Sequence, residues 1–414
     1  MDFADSRWRI NFFLVLLVAA VVYGTNCYLT NKGLFTLSGI PYLNYLLDAF
    51  FDQRMDVISP SKYDLSLYEG KWYLYWGPAP VLFVLPFYLV SGVHTSDVLY
   101  TLVAGLSNVI LFSLIIIECA KYFRLKLSNG SYSALVLSFA LASPNLFLSV
   151  GARIWFTHQV IAVFFLLGFL FFLFKFLNNP HDRILFFLSV IFFNLAWCSR
   201  VTLVVYGLLL IFPLLDSRSH PENRYRLVFI SVSTSLLFFL FWGAYNYARF
   251  GNVFEMGARY IQGSDLFEAG TKAGSFHSFQ YVYRNFKYYF LEHLYLSVSK
   301  PFAQIEPWGN SIFSVYPFLL LSLFLPRKSV FTRAPQRIFL VLSISILAMG
   351  MVHLLTFIST GWVQFGQRYF FDFAPLWFLI IIFGISAVPP ILQSVLVLYG
   401  FLVNQVGIGL FYDF

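Results

Sequence analysis

The chain has 414 residues, of which 59% are apolar and 11% charged, and its mean hydropathy is +0.74. Soluble globular chains carry about 25% charged residues, so 27 basic and 19 acidic side chains cannot cover a soluble protein of this length. That excludes a soluble enzyme, a disordered chain and a fibrous repeat. The apolar runs are too long for barrel strands, which leaves an all-α polytopic membrane protein.

About eleven transmembrane helices are expected, at 9–29, 97–120, 131–150, 158–177, 184–199, 200–215, 227–246, 311–326, 337–357, 370–386 and 390–410. No small-residue cleavage pattern follows the first, which reads as a retained signal anchor. The pair 184–199 and 200–215 is alternatively one long helix broken near Arg200. Val81–Val90 contains Pro86 and is too short to cross ~30 Å of hydrocarbon; it reads as a re-entrant or juxtamembrane helix. Cys27, Cys119 and Cys198 all lie in apolar runs, without metal-ligand spacing or a disulfide framework.

With the N-terminus inside, the inner segments hold 14 basic residues: Arg7, Arg9, Lys121, Arg124, Lys126, Lys175, Arg183, Arg218, Arg224, Arg226, Arg327, Lys328, Arg333 and Arg337. They hold six acids: Asp2, Asp5, Glu118, Asp182, Asp216 and Glu222. The whole net charge of +8 is then cytoplasmic, as the positive-inside rule expects. The basic pI therefore calls for no nucleic-acid partner. Reading Val81–Val90 as a full span would put the Arg327–Arg337 cluster outside. One transmembrane domain results, with two long outer segments, 30–96 and 247–310. No internal repeat supports an inverted-repeat transporter.

In the first outer segment, Leu43, Leu46, Leu47, Phe50 and Phe51 form one apolar stripe at helical spacing. Asn44, Asp48, Asp52 and Asp56 recur every fourth residue on the other side, so 42–56 reads as an amphipathic interface helix. The acids are either its solvated face or include one, most plausibly Asp48, that faces a cavity. There a carboxylate would act as general base or hold a divalent cation.

The stretch DLSLYEGKWYLYWGPAP follows. Asp64 and Glu69 flank a turn at Gly70, and Lys71, Trp72, Tyr73, Tyr75 and Trp76 lead to the break at Gly77-Pro78-Ala79-Pro80. This is either an aromatic belt with a helix start or a site for lipid phosphate and sugar. In the second reading Lys71 neutralises phosphate and aromatic faces stack on sugar rings.

Here the chain resembles the GT-C membrane glycosyltransferases, in particular the ArnT/PMT-like and RgtA/B/C/D-like groups. The resemblance rests on Asp64, Tyr68, Gly70 and Tyr73 in a D-x-x-x-Y-x-G-x-x-Y stretch, followed by Pro78 and Pro80. In motif it covers residues 42–90 and a few later scraps; in architecture it covers most of the chain. GT-C enzymes usually carry an acidic pair close behind the first span, whereas here the first acid after it is Asp48. The resemblance implies a bacterial inner-membrane enzyme, a polyprenyl-phosphate sugar donor and inverting transfer. Asp48 or Asp64 would be the catalytic carboxylate, deprotonating the acceptor or orienting a metal.

Later polar residues fall on the same side. Arg153 and His158 lie in the turn GARIWFTHQ, and Arg200 follows the fifth span. They are either snorkelling helix ends or phosphate ligands, since Arg suits phosphate through its planar fork. The second outer segment carries Arg259, then the aromatic stretch 276–296 with Glu292 and His293. That stretch reads as an interface helix or a sugar and headgroup contact. Arg368 and Asp372, four residues apart, can pair on one helix; similar Arg–Asp features recur in GT-C-like chains, so Arg368 is also a donor-phosphate candidate. His353 lies inside a span.

The combined reading is a glycosyltransferase acting at the outer face on a glycan, lipid or protein acceptor. Glu69, Lys71, Tyr73, Arg153, His158, Arg200, Arg259 and Arg368 are the substrate-binding candidates. A metal is left open. The rivals are a polysaccharide polymerase or ligase, with its essential residues in 247–310, and a transporter or flippase without chemistry. A GT-C-like scaffold without activity is the third.

Overall fold

The computed structural model describes residues 6–215, 221–262, 265–296, 303–324, 333–361 and 363–412. Asp2, Asp5, Asp216, Arg218, Arg327 and Lys328 lie outside these described residues.

The chain opens with α1 (Ser6–Asn31), α2 (Tyr42–Phe51) and the hairpin β1 (Ser66–Tyr68)–β2 (Lys71–Tyr73). Then come α3 (Val81–Ser91), α4 (Asp97–Phe123), α5 (Asn129–Leu141), α6 (Pro144–Val150), α7 (Ile154–Asn178) and α8 (Arg183–Ser199). A 3-10 stretch, Val201–Ile211, leads to α9 (Phe212–Leu215) and α10 (Pro221–Phe250). Between α10 and α13 (Ile312–Val315) lie α11 (Asp265–Lys272), α12 (Val282–Phe286) and the small hairpin β3 (Tyr295–Leu296)–β4 (Ala303–Gln304). The last helices are α14 (Ala334–Thr356), α15 (Ala374–Ile381) and α16 (Pro390–Tyr412).

Among the described residues, six helices (α1, α4, α7, α10, α14 and α16) are long and apolar enough to cross a membrane, and α5 with α6 makes a seventh candidate bent by 41°. The bend has a local cause. Ser143, before Pro144, is held extended (φ −154°, ψ 163°) and its hydroxyl caps α6 at Asn145 N, because proline disfavours a helical conformation in the residue before it. The other four expected spans are helical too, but short or broken. Residues 183–199 are α8. Residues 201–211 wind as a 3-10 helix, and Gly207 packs against the Phe193 ring, so this segment turns back beside α8 rather than extending it. The 311–326 span is α13 followed by a 3-10 stretch from Pro317 to Phe324, and 370–386 breaks into α15 between 3-10 turns.

Helix α7 lies at the centre, largely buried against α4 and α8, whereas α1 and α10 keep most of their surface outward. The outward residues are apolar, among them Phe13, Leu17, Phe229, Leu237 and Phe241, as lipid contact requires. Buried amides fasten the helices to one another. Asn145 Nδ2 donates to the Tyr23 hydroxyl at 2.6 Å and to Gly105 O at 3.1 Å, and Asn108 Nδ2 donates to Asn145 Oδ1 and Val160 O. These bonds tie α1, α4, α6 and α7 together.

The two ends of the bundle differ. Lys121, Arg124, Lys126, Lys175, Arg183, Arg224, Arg226, Arg333 and Arg337 share one end, where Gln336 reaches Phe123 O and Ser386 reaches Lys126 O. Residues 32–96, 251–262, 265–296 and 303–311 share the other. Helix α2 packs there on α3, burying Leu43, Leu46 and Leu47. Asn44, expected on the solvated face, is fully buried: its amide donates to Val93 O and Thr95 O and its oxygen accepts from Tyr100. The helix stops at Phe51, so Asp52 and Asp56 lie beyond it.

Candidate active site

The β1–β2 hairpin is the frame of the site. Its two turn residues, Glu69 and Gly70, both have positive φ (48° and 76°), as a tight hairpin turn demands. Ser66 Oγ donates to Gly257 O at 2.8 Å and Gln262 N to Leu65 O at 3.2 Å, which docks the hairpin on the second long segment. Arg249 holds it from beneath: Nη1 donates to Leu74 O at 2.6 Å and Nη2 to Asn246 Oδ1 at 2.7 Å, with the guanidinium over the Tyr245 ring. The chain leaving the hairpin is wedged between helices. A Cβ on Gly77 would stand 1.7 Å from Cys198 O at the end of α8, and His158 Nε2 of α7 donates to Gly77 O at 3.1 Å.

Asp64 enters the site from a left-handed backbone conformation (φ 58°) just before β1. The preceding carbonyl, of Tyr63, accepts from the Tyr42 hydroxyl at 2.6 Å, and the Asp64 carboxyl accepts from the Tyr75 hydroxyl at 3.3 Å. Burial pushes Asp64 up to about 6, while Arg368 nearby and the Tyr75 hydrogen bond pull the other way. A carboxyl so tuned is ionised at neutral pH yet close to taking a proton, the balance a general base needs.

Beneath Asp64 lie two guanidinium groups with different partners, Arg368 buried and Arg200 largely so. Arg200 Nε is 2.9 Å from Asp372 Oδ2. The same oxygen accepts from Thr202, and Oδ1 accepts from Gln159 Nε2 at 2.8 Å. Asp372 is thus saturated, and the expected Arg368–Asp372 pair does not form. The reason is local: residues 368–372 wind as a 3-10 turn, in which residues four apart no longer share a face. Arg368 has no carboxylate ion pair among the described residues. Its guanidinium lies over the Tyr369 and Phe156 rings at 4.8 and 5.7 Å, and its Nε has no hydrogen-bond partner. The buried hydroxyls of Tyr289 and Tyr316, which also face this cluster, are unpartnered as well. A cation and orphaned donors beside a half-buried carboxyl suit an anionic ligand.

The other candidates are spread more widely. Asp48 is half-exposed; it accepts from the Tyr88 hydroxyl at 3.1 Å and lies 3.8 Å from Arg54, which also neutralises Asp52 and Asp56. Glu69 and Lys71 are exposed at the hairpin tip, and Tyr73 is buried edge-on against Phe250. Arg259 is exposed beyond the hairpin. Arg153 lies over the Phe411 and Tyr412 rings at 4.6 and 5.6 Å. Glu292 is buried and paired with Lys287 at 3.1 Å, and His353 stacks on Phe357 and meets the His277 ring at a tilt of 51°. No three His, Cys, Asp or Glu residues converge as a metal site among the described residues. Gln159, Arg249 and Tyr289 were not singled out by sequence.

No family model and no curated protein sequence matches the chain. Solved structures match in fold. ArnT from Cupriavidus metallidurans bound to undecaprenyl phosphate superposes with a TM-score of 0.53 at 12% identity, covering 93% of this chain and 61% of that one. The apo oligosaccharyltransferase of Archaeoglobus fulgidus gives 0.55 at 12% identity, covering 99% and 57%. The same enzyme tethered to an acceptor peptide gives 0.54 at 11%, covering 96% and 55%. This chain spans about three-fifths of the length of these proteins. Its fold is that of ArnT and of the archaeal oligosaccharyltransferase.

Proposed function

We propose that the chain is a membrane glycosyltransferase that moves a sugar from a polyprenyl-phosphate donor to an acceptor at the outer membrane face. The observation that carries this reading is the half-buried Asp64 carboxyl, pushed up to about 6, beside the Arg368 guanidinium, which has no carboxylate ion pair among the described residues. The fold shared with ArnT in its undecaprenyl-phosphate complex supports the choice of donor. The basic residues at the opposite end of the bundle support an outer location for the site.

Transfer is a single displacement. The acceptor hydroxyl gives its proton to the Asp64 carboxylate as its oxygen forms a bond to the anomeric carbon. The bond from that carbon to the phosphate oxygen breaks, and the electron pair leaves with the polyprenyl phosphate. Arg368 stabilises that developing charge, the part of the transition state that most needs help. Arg200 acts through Asp372: their pair fixes the segment that carries Arg368. Asp48 is less available to a substrate, because Arg54 and Tyr88 already engage it at the surface.

The test is transfer of radiolabelled sugar in sealed vesicles of known orientation, with polyprenyl-phosphate sugars as donors. Product formed on the face away from the basic loops supports the reading. A folded protein that transfers nothing from any such donor contradicts it.

A further inference from the structure

A second cleft lies beside the Asp64 cluster. It has a volume of about 320 Å³ and is lined by Thr30, Asn31, Ser38, Arg153, Trp155 and Tyr412 among others. Three of these carry a buried polar atom without a hydrogen-bond partner: Thr30 Oγ1, Trp155 Nε1 and the Tyr412 hydroxyl. Such atoms are costly when left unsatisfied, and three around one cleft point to a ligand that satisfies them. The charge is positive. Arg153 has no carboxylate ion pair among the described residues, and its guanidinium rests on the Phe411 and Tyr412 rings. Arg153 is also the residue that opens α7, a helix of 25 residues whose start has no side-chain cap, so the helix adds partial positive charge and free amides. The Trp155 ring meets the Tyr63 ring at 6.1 Å, and Tyr63 precedes Asp64. One aromatic layer therefore separates the cleft from the proposed base.

We propose that this cleft binds the anionic, hydroxyl-bearing headgroup of the acceptor, a phosphorylated sugar or polyol, and brings it next to Asp64. The word acceptor rests on the glycosyl-transfer reading; the binding site does not. Arg153 takes the negative charge, the three orphaned groups take hydroxyls, and Trp155 supplies a flat face for a ring. The donor phosphate stays with Arg368 on the other side of the Phe156 ring.

The experiment uses the full chain in phosphatidylcholine nanodiscs and reads the thermal unfolding midpoint. Soluble glucose 6-phosphate is one probe. The other is replacement of part of the phosphatidylcholine by phosphatidylglycerol, which presents a phosphorylated polyol from the lipid side. A rise in midpoint with either probe is expected, and which probe gives it identifies the source. Arg153→Gln should weaken the response at least about tenfold in apparent affinity, as loss of a charge-assisted contact does. Tyr412→Phe, which removes one oxygen and keeps the ring, should leave the ligand-free protein at least as stable and blunt the response. Arg368→Gln should leave the response intact. No rise with either probe, or equal rises in wild type and Arg153→Gln, overturns the proposal. Binding without transfer from any donor would sink the enzyme reading and leave the site; transfer without binding would do the reverse.

Discussion

Arg200 and Asp372 are 172 residues apart in sequence and 2.9 Å apart at their Nε and Oδ2 atoms. Asp372 is buried and the Arg200 side chain is only 13% exposed, and the pair joins the end of α8 to the turn that carries Arg368. Breaking a buried pair from one side leaves a charge without a partner, at roughly 3–5 kcal/mol. Asp372→Asn should lower the unfolding midpoint far more than Thr202→Val, which removes one hydrogen bond to the same carboxylate and costs about 1 kcal/mol. Thermal melts of the two variants in one detergent decide this; equal losses would show that the ion pair contributes nothing special.

The Gly77 contact makes a second prediction. Its Cβ position is 1.7 Å from Cys198 O, a backbone atom that cannot swing away, so Gly77→Ala must shift the hairpin or the end of α8. Overpacking of this kind costs about 1–3 kcal/mol or more. Gly24, in the middle of α1, has nothing within 4 Å of its Cβ position. There alanine should be neutral or stabilising by up to about 1 kcal/mol. A Gly77→Ala protein as stable and active as Gly24→Ala would refute the wedge.

Asp64 gives a pH dependence with a definite sign. Its carboxyl is raised from 3.8 to about 6, so the folded protein holds this proton more tightly than the unfolded chain. That stabilisation is complete below 3.8 and lost as pH rises through about 6. Above it, the ionised carboxylate is a standing cost of at most about 3 kcal/mol. Asp64→Asn should therefore unfold at a higher temperature than wild type at pH 8, with the difference shrinking toward pH 4. A difference that stays constant across that range would show that Asp64 is not the titrating group.

Some of this was readable in the sequence, and the reasons are physical. Apolar runs, proline positions and the placement of lysine and arginine suffice for the long helices, the short α3 and the basic end of the bundle. Asp64, Gly70 and Pro78 announce a turn and a helix start through local chemistry. Composition cannot tell an α-helix from the 3-10 winding of 201–211 or 368–372, because both bury the same side chains. For the same reason Arg368 and Asp372 looked like a helical pair, although the partner of Asp372 comes from across the fold. Arg249 and Gln159 were hidden because a polar residue near a helix end shows its role only when its partners across the fold are known.

The measurement closest to the central claim is sugar transfer from a polyprenyl-phosphate donor by wild type, Asp64→Asn and Asp48→Asn, each followed across pH. Wild-type activity should rise through about pH 6 as Asp64 ionises. Asp64→Asn should lose about 100-fold or more, the scale of a missing general base, while Asp48→Asn keeps both rate and profile. If Asp64→Asn transfers as fast as wild type, or Asp48→Asn alone abolishes transfer, Asp64 is not the base and the account of the site is wrong.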